Sequence, residues 1–286
     1  MVATDVQVPE VELQESDLEK IRQLIFKETG MLFEKKKDYF LTSRIKLRMA
    51  ALGYTSFKDY YHELIFDVNK TELQKFIEEI TVNETYFFRD FPQLRGFAEK
   101  VLPRYLEEKR QRQDLSLRTW SAGCSTGEEP YTLAIIYKEM IEDFDQWDVW
   151  IFATDIDRKV LRHAKLGIYG NRSMKDTPIP YRDKYFTKTA DGWKVKDELV
   201  ELITFENLNL IDRHAMRRQR RFDFIFCRNV LIYFSEDSRK KVVSYLYDAL
   251  VPGGYLFLGH SESIGRITAA FELKRIDGFL CYQKPN

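Results

Sequence analysis

Hydrophobic positions recur at intervals of three and four through the first hundred residues, which is the spacing of amphipathic helices. Ser16 with Glu19 forms a capping box, and the apolar residues that follow predict a helix that ends at Gly30. The same spacing predicts a second helix over 36–52 and two shorter helices after it. A long last helix is expected from residue 91 to about residue 108.

This helical pattern predicts the organisation of the first third of the chain. We expect a mobile acidic tail over 1–15, a helical domain over 16–90, and a linking helix with a linker over 91–114. The charged run over 107–114 fits a linker, although a solvated helix end is the preferred interpretation.

From Leu115 onward the pattern changes to short apolar runs that alternate with helical segments. The predicted strands lie at 115–120, 148–154, 203–206, 222–227 and 255–258. Helices are predicted between them, at 130–142, 158–166 and 236–250. This alternation predicts an α/β fold, a doubly wound, Rossmann-like sheet that is mostly parallel and has helices on both faces. A hairpin near the end of the chain, around Asp277-Gly278, should close one edge as antiparallel strands.

The segment over about 168–205 does not follow this alternation. It contains a strand-turn-strand signal around Asp191-Gly192, so we predict a small β-subdomain inserted within the doubly wound domain. Such an insertion either recognises a partner or has no function of its own, and the pattern leaves both interpretations open.

Composition narrows the class of protein. The 286 residues contain 45 Lys and Arg against 45 Asp and Glu, so the overall charge favours neither a nucleic-acid partner nor membrane insertion. The three cysteines show no metal-binding spacing, which indicates a reducing compartment and no metal site. We expect a cytoplasmic monomer.

The stretch Trp120–Tyr131 (WSAGCSTGEEPY) connects a predicted strand to a predicted helix through two glycines. Gly123 and Gly127 allow the backbone to approach a ligand, and free N–H groups at the helix start would bind its negative atoms. A plain strand-to-helix connection explains the turn equally well.

Polar residues follow three further predicted strands, at the edge where a doubly wound sheet binds ligands. Asp155 suits a ribose site, because a carboxylate can accept hydrogen bonds from both ribose hydroxyls. Asp157 better suits the N-cap of the next helix. Asn209-Leu210 follows the strand at 203–206, and Arg228-Asn229 follows the strand at 222–227. A charged Arg228 at the end of a buried strand must be paired, which makes it a functional candidate.

Two other segments carry polar residues at predicted element boundaries. Asn83–Asp90 (NETYFFRD) combines polar donors, three aromatics and Arg89, and fits either a site or an aromatic plug between domains with Arg89 in an interdomain salt bridge. His260-Ser261-Glu262 resembles a hydrolase triad only superficially, because consecutive residues do not form one, and we interpret it as a structural turn.

Six motifs in this order resemble the chemotaxis-receptor glutamate methyltransferases, the CheR family: TVNETYFFRD, WSAGCSTGEEPY, FATDID, FENLNL, FDFIFCRNVLIYF and PGGYLFLGHSE. The resemblance implies an N-terminal helical domain and an S-adenosylmethionine-dependent methyltransferase domain with an inserted β-subdomain. It implies methyl transfer to glutamate carboxylates on chemoreceptor cytoplasmic helices, with S-adenosylhomocysteine as the product. By position, the cofactor-binding residues would be Asn83, Thr85, Arg89, Gly123, Glu129, Asp155, Asn209, Leu210, Arg228 and Asn229.

The resemblance also implies that Arg89 and Tyr233 flank the transferred methyl group as the catalytic residues. Lys37, Arg44 and Arg48 are spaced to share one helix face, which either steers the acidic receptor helices or is simply solvated. The short turn around Asp191-Gly192 resembles relatives that bind no receptor pentapeptide tether. A methyltransferase for another acceptor, and a signalling module that binds the cofactor without catalysis, remain alternatives.

Overall fold

The computed structural model describes residues 11–276 and 278–286, so the predicted tail lies largely outside the described residues. The chain forms two compact units. The first comprises the chain up to Val82 together with Tyr233–Ser235, and the second comprises Asn83–Ile232 and Glu236–Asn286. The predicted boundary at residue 90 is therefore misplaced. Residues 83–90 belong to the second unit because Phe87 packs there, edge-on against Tyr169 at 4.8 Å.

The first unit is helical, as predicted, and we refer to it as the helical unit. Its helices are α1 (Glu15–Thr29), α2 (Asp38–Leu52), α3 (Phe57–Phe66) and α4 (Thr71–Ile80). Fully buried side chains from α2, α3 and α4, including Ile45, Tyr60 and Phe76, form its core. Gly30 and Gly53 end α1 and α2 in the left-handed conformation, which confirms the predicted ends of these helices.

The capping box of α1 lies two residues before its predicted position, and it uses two other residues. Gln14 is the N-cap, and its backbone N–H donates to Asp17 at 3.2 Å. Ser16 and Glu19 lie inside the helix instead. The prediction followed the Ser-x-x-Glu pattern, but Gln14 and Asp17 supply an equivalent pair of side chains.

The second unit, the sheet unit, contains the remaining elements. Two helices come first, α5 (Phe91–Gly96) and α6 (Leu102–Gln111), joined by a π-helical turn (Phe97–Val101). The next elements are β1 (Ser116–Ala122), α7 (Glu128–Met140), β2 (Asp148–Asp155), α8 (Arg158–Leu166), β3 (Ile168–Tyr169), α9 (Asn171–Met174), α10 (Ile179–Tyr185), β4 (Phe186–Thr189), β5 (Gly192–Val195) and α11 (Asp197–Val200). The last are β6 (Ile203–Asn207), α12 (Arg213–Arg218), β7 (Phe222–Cys227), α13 (Glu236–Ala249), β8 (Leu250–Leu258), β9 (Glu272–Ile276) and β10 (Phe279–Gln283).

Seven strands form one sheet in the order β6-β2-β1-β7-β8-β10-β9. The first five in this order are parallel, and β10 pairs antiparallel with both β8 and β9. The chain winds outward from β1 through β2 to β6 and then returns to β7, on the other side of β1. This confirms the doubly wound sheet with an antiparallel edge, and it places the topological switch point between β1 and β7.

The inserted β-subdomain is a separate three-stranded sheet in the order β3-β5-β4. Its end was predicted near residue 205, which is too late. The strand from Ile203 pairs in parallel with β2 and is part of the main sheet, so the insertion ends before it.

The predicted linker over 107–114 is largely helical, because α6 extends to Gln111. Lys109 near its end is buried and forms an ion pair with Asp223 at 3.0 Å. The preferred interpretation of this run as a helix end is confirmed, although Lys109 is not solvated.

Aromatic packing holds the start of the sheet unit against the main sheet. Phe97 in the π-helical turn makes edge contacts with Phe224, Phe226 and Phe257 on two neighbouring strands. On the opposite face of β1, Trp120 packs on Phe222 at 5.2 Å. The carboxyl edge of the parallel strands is thereby supported by a rigid, apolar interior.

Candidate functional site

The carboxyl ends of β1, β2, β6 and β7 lie side by side, because these strands are parallel neighbours. The residues that follow them include Gly123, Asp155, Asn209 and Arg228. The convergence of these segments at one edge, which the sequence predicts, follows directly from the observed strand order. The site lies in the sheet unit.

The turn after β1 is built differently from the prediction. Gly123 and Cys124 donate their N–H groups to the carbonyl of Thr154, at 2.8 and 2.9 Å, so these amides are not free for a ligand. Gly123 has a φ of +82°, and a Cβ added there would lie 2.4 Å from Cγ2 of Val230. The glycine is therefore needed for close packing against the segment after β7.

Asp155 is a buried carboxylate at the centre of this edge. Its Oδ2 accepts the N–H of Ser125 at 2.8 Å, and its Oδ1 accepts the N–H of Asp157 at 2.9 Å. Burial raises the pKa of Asp155 to about 6, against the opposing effect of these hydrogen bonds. A carboxylate has about four lone-pair sites, so each oxygen can accept a further donor. Asp157 caps α8 through the N–H groups of Lys159 and Val160, as predicted.

The segment that begins at Asn83 reaches the same edge. Asn83 donates from Nδ2 to Oδ2 of Asp157 at 2.8 Å, and its carbonyl accepts the hydroxyl of Ser125 at 3.0 Å. Thr85 is half-buried nearby in the chain. These contacts tie the first motif of the sheet unit to the turn after β1 and to the end of β2.

Arg89 forms no salt bridge within the part of the chain that the structure describes. Its Nη1 donates to the carbonyl of Glu84 at 2.9 Å, and its guanidinium lies 5.8 Å from the ring of Tyr86. The contacts that the structure gives Arg89 are therefore local.

Arg228 is the centre of a charged cluster. Its side chain is only 3% exposed and forms ion pairs with Asp90 at 2.8 Å and Glu129 at 3.1 Å. It also donates to the carbonyl of Arg89 at 2.7 Å. Ser121 donates to the other oxygen of Glu129 at 2.7 Å. Two carboxylates thus supply the pairing that a charged residue at a buried strand end requires. Among the described residues, the Nε of Arg228 has no hydrogen-bond partner.

Two further predicted residues follow β6. Asn209 accepts the N–H of Ile211 at 3.2 Å, and Leu210 is buried. Asn207, which the sequence analysis did not single out, donates to the carbonyls of Asp155 and Ile156. It thereby fixes the end of β6 to the end of β2.

Asn229 has a left-handed backbone, with a φ of +59°, and its Oδ1 is buried without a hydrogen-bond partner in the part of the chain that the structure describes. Its N–H donates to Glu262 at 2.7 Å. Glu262 lies in a turn that follows β8, as predicted for His260–Glu262. The prediction of a purely structural turn omits this contact with the edge. The signal in the sequence was an acidic residue three positions after the glycine that follows a buried strand.

Backbone strain concentrates at the same place. Non-glycine residues with positive φ include Phe88, Asp90, Ser125 and Asn229, at +58°, +57°, +50° and +59°. Left-handed conformations cost about 1 kcal/mol or more for such residues, and they persist where the surroundings determine them. Their concentration around Arg228 and Asp155 supports a functional site here.

Tyr233 does not belong to the sheet unit. Its carbonyl accepts the N–H of Leu32 at 2.9 Å, and the residues around it group with the helical unit. The structure therefore does not bring Tyr233 together with Arg89 inside one unit.

The predicted basic face of residues 37, 44 and 48 is only partly available, and Lys37 lies in a short 3-10 helix (Lys35–Lys37) just before α2. Lys37 is exposed, and the guanidinium of Arg44 lies 4.9 Å from the ring of Phe40. Arg48 is not free, since it forms an ion pair at 2.6 Å with Glu72, which is 4% exposed. The expectation that Arg48 steers a substrate is corrected, because its charge is neutralised within the helical unit.

Two domain families match this chain. Residues 83–279 match the CheR methyltransferase SAM binding domain, and residues 16–81 match the CheR methyltransferase all-alpha domain. Together with the doubly wound sheet, these matches define a methyltransferase with a domain that binds S-adenosylmethionine. The chain belongs to the CheR family of chemotaxis methyltransferases.

Curated relatives support this assignment along almost the whole chain. Chemotaxis protein methyltransferase 2 of Vibrio cholerae is 39% identical over 97% of this chain and 96% of its own length. The chemotaxis protein methyltransferases of Borreliella burgdorferi and Escherichia coli are each 33% identical, over 89% and 92% of this chain and 90% and 89% of their own lengths.

The residues at the carboxyl edge fit this cofactor. Asp155 offers acceptor sites for ribose hydroxyls, and the unpartnered Oδ1 of Asn229 offers an acceptor for a further donor group. Among residues 11–276 and 278–286, no group of three or more His, Cys, Asp or Glu is placed to hold a metal ion. No helix in the same ranges is long and apolar enough to cross a membrane.

Proposed function

We propose that this protein transfers the methyl group of S-adenosylmethionine to glutamate side chains on the cytoplasmic helices of a chemoreceptor. The observation that carries the proposal is the convergence of buried Asp155, the Arg228 cluster and the unpartnered Oδ1 of Asn229 at one edge of the sheet. The match to both CheR domains supports the choice of reaction.

Cofactor binding is assigned to the groups that meet at this edge. Asp155 would accept the two ribose hydroxyls, and Asn229 would accept a donor of the cofactor through Oδ1. Glu129 and Arg228 would adjoin the charged amino-acid tail, while Asn83, Thr85, Asn209 and Leu210 would complete the pocket. The close packing of Gly123 against Val230 would form the base of the proposed cofactor pocket, between the ends of β1 and β7.

The proposed methyl transfer needs no general acid or general base from the protein. Bound S-adenosylmethionine supplies an electrophilic methyl group on a positively charged sulfur. A glutamate acceptor, with a pKa near ~4.3 in water, is already ionised at neutral pH, so no proton has to be removed. One carbon–oxygen bond forms, one carbon–sulfur bond breaks, and both charges disappear. The residues of the site therefore need to align the two reactants and exclude water.

Arg89 and Tyr233 are proposed to act on the acceptor side. An arginine can orient a carboxylate through paired N–H donors, and Arg89 is held beside the site by its bond to the Glu84 carbonyl. Strong binding of the ionised carboxylate would slow the step, because the negative charge is lost in it.

Receptor recognition is proposed for two basic residues, the exposed Lys37 just before α2 and the half-buried Arg44 in α2, and for the inserted β-subdomain. The connection between β4 and β5 is short, since Thr189 pairs directly with Gly192. This fits a protein that does not need a receptor pentapeptide tether.

A purified receptor cytoplasmic fragment tests the acceptor. The fragment is incubated with the protein and S-adenosylmethionine, and its methylated peptides are sequenced by mass spectrometry. We expect methyl groups on glutamate side chains, and far fewer of them with Asp155→Ala at the same concentration of S-adenosylmethionine. Methylation confined to nitrogen-containing side chains, or cofactor binding without methylation of the receptor or any other acceptor, would contradict the proposal.

A further inference from the structure

Glu262 accepts three backbone N–H groups from two segments of the chain at the edge of the site. Its Oε2 accepts the N–H of Asn229 at 2.7 Å and that of Gly259 at 2.8 Å, while its Oε1 accepts the N–H of Ile232 at 3.2 Å. Hydrogen bonds to a carboxylate are roughly twice as strong as neutral ones. One side chain thus fixes the segment after β7 to the segment after β8.

The fit at this joint is tight. A Cβ added to Gly259 would lie 2.8 Å from Nδ2 of Asn229 and 2.9 Å from Oε2 of Glu262. The backbone of Asn229 also has a φ of +59°, a conformation that needs support from its surroundings. The three hydrogen bonds to Glu262 provide that support.

The side chain of Asn229 is the part of this joint that points to a ligand. Its Oδ1 is buried and has no hydrogen-bond partner among residues 11–276 and 278–286, although an unsatisfied buried acceptor costs about 1–3 kcal/mol. An amide oxygen accepts hydrogen bonds and donates none. The group it is prepared for must therefore be a donor, such as an amine, an ammonium or a hydroxyl.

We propose that Glu262 is a positioning residue for cofactor binding. It holds Asn229 in its left-handed conformation so that Oδ1 is presented to a donor group of S-adenosylmethionine. This inference rests on the proposed function, because it takes the carboxyl edge as the cofactor site. Glu262 acts through Asn229 and through backbone amides.

Calorimetric binding of S-adenosylhomocysteine, the unreactive product, tests this role without any methyl transfer. We expect Glu262→Ala to raise the Kd about tenfold or more, because the variant loses the strong hydrogen bonds from the N–H groups of Asn229 and Gly259 to the carboxylate. Glu262→Gln should raise it less, because the amide oxygen can take the place of Oε2 and keep the bonds to Asn229 and Gly259. At saturating S-adenosylmethionine, the kcat of both variants should stay within about threefold of wild type, so that the defect lies in binding.

A double-mutant cycle distinguishes positioning from a general loss of structure. Asn229→Gly removes Oδ1 and tolerates the positive φ. If Glu262 acts through Asn229, adding Glu262→Ala to this variant should change the Kd little further. Fully additive effects, or a Kd unchanged by Glu262→Ala, would overturn the inference.

Glu272→Gln is the matched control, since its carboxylate lies on the exposed face of β9 and pairs only with Lys274 among the described residues. It should bind like wild type. If wild type itself fails to bind the cofactor, the proposed function fails. If wild type binds the cofactor and both Glu262 variants bind it with the same Kd as wild type, only the positioning role of Glu262 fails.

Discussion

At the scale of single residues, the ionisation of Asp155 should set how ligand binding at the site depends on pH. Burial holds its pKa near 6, above the usual value of 3.8. A carboxyl whose pKa is raised by folding contributes stability that is complete below about pH 3.8 and is lost as the pH rises through 6. The ionised carboxylate at neutral pH is thus a destabilising group in the free protein, and donors of a bound ligand can relieve it.

We predict that Asp155→Ala raises the Kd for S-adenosylhomocysteine by about tenfold to a hundredfold, because each hydrogen bond to a charged group contributes ~1.5–3 kcal/mol. In wild type, the increase in Tm caused by the ligand should be smaller at pH 5 than at pH 7, since protonation of Asp155 removes the negative acceptor. Thermal unfolding with and without ligand at the two pH values checks both statements. An equal ligand effect at pH 5 and pH 7 would contradict the role of Asp155.

The same scale shows what the sequence pattern missed. Asp155, Arg228 and Asn229 were predictable because each follows a recognisable buried strand. Glu262 and Asp223 were not identified from the sequence, for different reasons. The contact of Glu262 with Asn229 joins residues 33 positions apart, and no local pattern reports it. Asp223 lies inside an apolar strand, where a buried carboxylate should itself have been taken as a signal.

At the scale of elements, Asp223 connects α6 to the main sheet. It accepts the hydroxyl of Tyr105, the Nζ of Lys109 and the backbone N–H of Arg118, at 2.7, 3.0 and 2.7 Å. It precedes the carboxyl end of β7 by four residues, so it lies away from the ligand edge. Its contribution should therefore be to stability.

We predict that Asp223→Ala destabilises the sheet unit by about 3–5 kcal/mol, because it leaves the ammonium of buried Lys109 without its buried partner. Denaturant unfolding measures this loss. Asp148→Ala is the control, since Asp148 is 69% exposed and its pair with Arg118 should contribute ~1 kcal/mol or less. Equal losses for the two variants would show that burial of the Asp223 pair is unimportant.

The basic face of α2 also belongs to this scale. Arg48 is bound to Glu72, which also accepts the hydroxyl of Tyr60 at 3.1 Å. Spacing alone placed Arg48 on the same face as Lys37, but spacing does not report a partner on α4. The two residues should therefore behave differently when they are changed.

We predict that Lys37→Glu slows receptor methylation about threefold or more at low salt, and that the effect disappears near 0.5 M salt, because exposed charges are screened. Cofactor affinity should not change. Lys240→Glu, an exposed lysine of α13, controls for net charge. A salt-independent defect in Lys37→Glu would exclude steering.

Arg48→Ala should instead lower the free energy of unfolding by about 3 kcal/mol, because buried Glu72 loses its partner.

At the scale of the whole molecule, the order of helices and strands was predictable because the hydrophobic period changes near Leu115. The doubly wound sheet followed from the alternation alone. The division at Val82 was not predictable in the same way, since residues 83–90 are polar and aromatic without a clear period. Their assignment to the sheet unit depends on contacts of Phe87 with the inserted β-subdomain, which are long-range.

The central claim is that the carboxyl edge of the sheet supports methyl transfer to receptor carboxylates. The most direct measurement uses S-adenosylmethionine labelled in its methyl group, with receptor-containing membranes as the acceptor. Methyl esters release labelled methanol in mild base, whereas N-methyl groups do not. We predict protein-bound label that base converts to methanol with wild type, and a loss of most of this label with Asp155→Ala. Label that resists base, or no label on receptors while the cofactor is bound, would contradict the account.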